Sequence, residues 1–119
     1  MKRIVVGICA ACAITLASPV LPHAFLDHAS PPVGSNVQAS PTEVKLWFTQ
    51  ELEPAFSTVV VSDATGKRID QRDVKVEGDG TVLRVSLPAL APGRYKVTWR
   101  ALSVDTHVTE GDFTFEVAG

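Results

Sequence analysis

In four separate stretches of this chain, apolar and polar residues alternate with a period of two, the pattern of a strand with one buried face. Val44, Leu46 and Phe48 oppose Glu43, Lys45 and Trp47. Leu83, Val85 and Leu87 oppose Arg84 and Ser86. Tyr95, Val97, Trp99 and Ala101 oppose Lys96, Thr98 and Arg100, and Phe113, Phe115 and Val117 close the series. Ser57 to Ser62 adds a β-branched run, Val59-Val60-Val61, and Asp70 to Glu77 a weaker strand. Asp63-Ala64-Thr65-Gly66, Gly78-Asp79-Gly80 and Pro92-Gly93 supply turns between them. Glu51-Leu52-Glu53-Pro54 could form one helical turn, with Pro54 ending it. Strands, turns and no helical period predict an all-β sandwich of about seven strands.

The start of the chain does not share this pattern. Lys2 and Arg3 precede Ile4 to Ala17, a run without charge that ends in small residues. This is expected to be a secretory signal peptide; a membrane-spanning helix needs ~20 apolar residues. Residues 1–22 are therefore assigned to the leader and residues 23–119 to one domain. The small pair Thr15 and Ala17 suits cleavage between residues 17 and 18, leaving the stub Ser18–Pro22; cleavage between 22 and 23 makes His23 the first residue. No second apolar span follows, so no membrane insertion is expected once the leader is removed.

The two cysteines, Cys9 and Cys12, and the single methionine, Met1, all lie in the leader. The domain is expected to have no disulfide and no sulfur donor. Removing Lys2 and Arg3 leaves nine basic residues against thirteen acidic ones, a formal charge of −4. A nucleic-acid partner calls for a basic face, and none is present.

Chemistry must come from three histidines, His23, His28 and His107. Asp105 and His107 stand two apart in the connection between the last two strands, a spacing that places both on one side of an extended segment. An Asp in such a connection is also a common turn former, and a lone His there is commonly solvated. If processing exposes His23 as the first residue, its amine and imidazole can join Asp105 and His107 on one ion. Three nitrogens and one oxygen in a tetragonal array suit Cu(II), whereas Cu(I) is selected by sulfur. His28, beside Asp27, could substitute for a lost N-terminal donor, or stand solvated near the site.

Several segments occur in the order found in a known family. They are His23-Ala24-Phe25-Leu26, Ser30-Pro31-Pro32-Val33-Gly34-Ser35, Leu46-Trp47-Phe48-Thr49, Pro92-Gly93-Arg94-Tyr95 through Trp99-Arg100, Ser103-Val104-Asp105-Thr106-His107 and Gly111-Asp112-Phe113-Thr114-Phe115. Together they resemble the CopC family of periplasmic copper-resistance proteins, including its YobA-like members. The resemblance implies a cupredoxin-like or immunoglobulin-like Greek-key sandwich and one Cu(II) held by His23, Asp105 and His107. It implies a copper scavenger or carrier in the periplasm rather than an enzyme, with a CopD-type inner-membrane copper protein as partner. Some members add a methionine-rich Cu(I) site; this chain lacks one and is expected to be of the Cu(II)-only type. Some carry a Glu that approaches the copper, where this chain has Gln50, followed by Glu51.

Two other functions fit parts of the pattern. A histidine-brace copper oxidase shares the N-terminal amine and imidazole, but Asp105 would close the plane that oxygen needs. A structural immunoglobulin-like module needs no metal, since fold does not imply function.

Overall fold

A computed structural model describes residues 24–119. The predicted leader, residues 1–22, and His23 lie outside the described residues. Eight strands form two sheets. The first holds β1 (Leu26–Ser30), β3 (Glu43–Phe48), β6 (Val82–Ser86) and β5 (Lys75–Glu77), in that spatial order. The second holds β2 (Asn36–Val37), β8 (Val108–Val117), β7 (Gly93–Leu102) and β4 (Thr58–Ser62). All pairings are antiparallel except that of β2 with β8. The chain crosses between sheets after β1, β2, β3, β4 and β6, which makes the domain a two-layer sandwich. No helix of the described residues is long and apolar enough to cross a membrane.

The predicted alternation holds because each strand buries one face. Val44, Leu46, Leu83 and Val85 of the first sheet meet Val59, Val61, Val97 and Ala101 of the second, all fully buried. Burying a Leu or Val side chain stabilises the fold by about 1.5–3 kcal/mol, so a one-residue register slip in any of these strands would lose most of the core. Trp99 meets Phe48 edge to face, with ring centroids 5.1 Å apart and planes at 74°. Its ring lies over Gly111, where an added Cβ would fall 2.6 Å from Cζ2.

Four local expectations are corrected. Two strands escaped the sequence pattern: β1, interrupted by an irregularity between Leu26 and His28, and the two-residue β2. Pro54 does not end a helical turn but opens a 3-10 turn over Pro54–Phe56, because its fixed φ suits a first helical position. The strand expected over 70–77 is reduced to Lys75–Glu77. The buried carboxylate of Asp70 accepts instead from Arg68 Nε at 2.9 Å and from the Val61 N–H at 2.8 Å. Strand β8 begins at Val108, well before the Phe113-Phe115-Val117 alternation, with its ladder continuing up to Leu102↔Val108.

Candidate metal centre

Strands β7 and β8 form the longest hairpin of the fold, and its loop carries Ser103, Val104, Asp105, Thr106 and His107. Backbone bonds close the loop: Ser103 N–H donates to the His107 carbonyl at 3.0 Å and Thr106 N–H to the Ser103 carbonyl at 2.8 Å. Val104 N–H donates to the Glu51 carbonyl at 3.1 Å, and Ser103 bridges to Leu52, so the segment after β3 braces the loop from the other sheet.

Asp105 and His107 are brought together, with Asp105 Oδ1 3.3 Å from His107 Nδ1. They meet by a route other than the extended segment expected. Thr106 between them has φ of 75°, in the left-handed region, so the pair converges across a tight turn. Contacts to the carboxylate are lopsided. Oδ1 accepts from the Ser103 hydroxyl and faces the His107 N–H at 3.4 Å. Oδ2 is buried and has no hydrogen-bond partner among the described residues.

The Ser103 hydroxyl bond is the main influence holding the Asp105 carboxyl below its ordinary value; desolvation opposes it, and the His107 ring and N–H assist. The group is therefore an anion at neutral pH. An anionic oxygen that is buried and unpaired costs free energy unless a cation or donor completes it. Such an oxygen, on a carboxylate whose other oxygen faces an imidazole, suits a divalent metal.

The third predicted ligand, His23, lies outside the described residues, but the chain next to it is placed. Ala24 is fully buried, and its carbonyl accepts from Thr109 Oγ1 at 2.6 Å. Thr109 lies two residues beyond His107 on β8. Phe25 is clamped in turn by Thr49, whose Oγ1 accepts the Phe25 N–H at 3.0 Å and whose own N–H donates to the Phe25 carbonyl at 2.9 Å.

His28 is not brought to this loop. Its ring stacks on Trp47 at 4.4 Å between centroids and 11° between planes, and Nδ1 lies 2.8 Å from Asp27 Oδ2. Trp47 points away from the core, as the alternation in β3 requires. Among the described residues no three His, Cys, Asp or Glu side chains gather as a metal-binding group. Gln50 sits one residue before the Glu51 that braces the loop, while the Glu51 side chain packs against Gly80. Of the polar neighbours of the loop, Thr106 bonds the Asp105 carbonyl and Glu110 faces Arg100 at 3.4 Å. Ser103 alone among them reaches the carboxylate. Thr109 went unrecognised in the sequence, because its partner is the carbonyl of Ala24, 85 residues away.

Comparison with known proteins identifies the family. The family model for the CopC domain matches residues 26–118. The chain is 36% identical over 97 residues to protein YobA of Escherichia coli (strain K12), covering 80% of this chain and 78% of that protein. It is 35% identical over 102 residues to copper resistance protein C of Pseudomonas syringae pv. tomato, covering 80% of each. The crystal structure of CopC from Methylosinus trichosporium OB3b superimposes with a TM-score of 0.75 at 41% identity, covering 81% of this chain and 94% of that one. The sandwich, the loop and these matches have one reading: the chain belongs to the CopC family, whose members bind copper and are not enzymes.

Proposed function

We propose that this protein is exported to the periplasm, binds one Cu(II) through His23, Asp105 and His107, and carries or buffers copper for an inner-membrane partner of the CopD type. The observation that carries the reading is the anionic Asp105 carboxylate, with Oδ1 facing the His107 imidazole and Oδ2 buried and unpaired. The tether between Ala24 and Thr109 supports His23 as the third residue. That bond holds the first described residue against the strand that leaves the loop. With His23 as the first residue, its amine and imidazole supply two nitrogens.

Residues 24–119 contain no cysteine and no methionine. Nitrogen and oxygen donors favour the oxidised ion, and Cu(II) heads the divalent affinity order for them. That supports a Cu(II)-only carrier. Transfer to a membrane partner would proceed by ligand exchange at an exposed loop, since the His107 side chain is half exposed.

Titration of the secreted protein with Cu(II), beside Asp105→Ala and His107→Ala, tests the reading. A marked loss of affinity in both variants is expected. Wild-type affinity in both would overturn it. The intact mass of the secreted chain, with His23 expected first, tests the N-terminal half of the ligand set.

A further inference from the structure

We propose that Ser103 is a positioning residue that commits the Asp105 carboxylate to donating a single oxygen, Oδ2, to copper. The inference deepens the reading above and rests on Asp105 being a ligand.

Ser103 is only 1% exposed and sits at the base of the loop, bridged to Leu52. Its hydroxyl has one proton and two acceptors within reach, Asp105 Oδ1 and the His107 carbonyl, the latter at 3.2 Å. The carbonyl already receives the Ser103 N–H at 3.0 Å. The hydroxyl proton therefore goes to the carboxylate, whose charge makes it the stronger acceptor. The His107 ring and N–H face the same oxygen, at 3.3 and 3.4 Å. Among the described residues these hydrogen-bonding and ion-pair contacts of the carboxylate fall on Oδ1, while Oδ2 is buried and has no hydrogen-bond partner.

A carboxylate on a loop can rotate about its Cβ–Cγ bond and offer a metal either oxygen or both. Fixing Oδ1 by a buried hydroxyl removes that freedom before the ion arrives. The ion then meets one oriented oxygen, and less side-chain entropy is lost on binding. Oxygen partners outside the ligand set commonly work in this way, and their loss costs about 10- to 100-fold in metal affinity.

The test is Ser103→Ala in the full secreted chain, read by Cu(II) competition titration and by electron paramagnetic resonance of the loaded protein. Backbone bonds of the loop do not involve the hydroxyl, so the variant keeps its fold, checked by thermal melting of the copper-free form. Expected are an affinity lower by about 10- to 100-fold and altered copper g and hyperfine values, with Tm of the copper-free protein little changed. A merely structural role for Ser103 would lower Tm and leave the resonance parameters alone. Asp105→Ala runs alongside. If Asp105→Ala weakens binding and Ser103→Ala leaves affinity and spectrum as in the wild type, the positioning role is overturned and the ligand reading stands. If Asp105→Ala binds copper as the wild type does, the ligand reading and this inference are both overturned.

Discussion

Thr109 donates its hydroxyl proton to the carbonyl of Ala24 at 2.6 Å, tying the start of the described chain to the strand that leaves the Asp105–His107 loop. Ala24 is fully buried, so this carbonyl has no access to water in exchange. Thr109→Val keeps the β-branched shape and deletes the donor. Leaving the carbonyl unsatisfied is expected to cost about 1–3 kcal/mol of stability, measurable by urea denaturation. Cu(II) affinity should fall as well, because the tie at Ala24, next in sequence to the proposed ligand His23, is lost, and Thr109→Ser should restore most of both. Wild-type copper affinity in Thr109→Val would show that the tether does not serve the site.

Acid should destabilise the fold through Asp70. Desolvation, the largest single influence on this group, pushes its carboxyl up. The Arg68 guanidinium and the N–H groups of Val61 and Arg72 together outweigh it and leave it below the ordinary value of 3.8. The unfolded chain therefore takes up the proton first as pH falls. The stabilisation is complete above the ordinary value and is lost as pH drops through it toward the lower folded value. Asp70→Asn should flatten this acid limb, at a cost of roughly 3 kcal/mol at neutral pH for leaving Arg68 without its carboxylate. Urea midpoints between about pH 3 and pH 7, a span that takes in the carboxylate range, would show whether the slope survives the substitution; a slope as steep as in the wild type would assign acid sensitivity elsewhere.

Gly111 faces inward under the Trp99 indole, and an added Cβ would meet Cζ2 at 2.6 Å and Cε2 at 2.9 Å. Trp99 is itself packed on Phe48 and is 8% exposed, so the ring has little room to retreat. Gly111→Ala is expected to destabilise by about 1–3 kcal/mol through overpacking and to change the tryptophan emission of the folded state. Unaltered emission together with unaltered stability would mean that the ring moves freely.

The parts of this fold that could be read in the sequence are those where burial imposes a period. Val44-Leu46-Phe48 and Tyr95-Val97-Trp99-Ala101 alternate because one face of each strand meets the opposite sheet. Where pairing rather than burial defines the strand, the pattern is silent. Asn36–Val37 is a strand only because β8 lies beside it, and the inward positions at the start of β8 are Thr109 and Gly111, which carry no apolar signal. The site divides along the same line. Asp105 and His107 were legible as a pair of donors close in sequence. The turn that joins them depends on Thr106 taking a positive φ, and the unpaired Oδ2 depends on where Ser103 points; neither has a compositional mark. Likewise the sequence leaves His28 either a substitute donor or a solvated residue, and its stack on Trp47 places it on the outer face of the first sheet.

The absence of sulfur after Met1, Cys9 and Cys12 sets the redox behaviour of the proposed cage. Imidazole, amine and carboxylate hold Cu(II) in a tetragonal array, while Cu(I) is selected by thiolate and thioether donors that residues 24–119 do not contain. Reduction should therefore release the metal. Ascorbate added to the copper-loaded protein in the presence of a Cu(I)-selective chromophoric chelator is expected to transfer the copper completely, whereas the same chelator without reductant should leave it on the protein. The half exposure of the His107 side chain gives the chelator access to the loop. Retention of copper after full reduction would require donors beyond His23, Asp105 and His107, and would argue against a carrier specific for the oxidised ion.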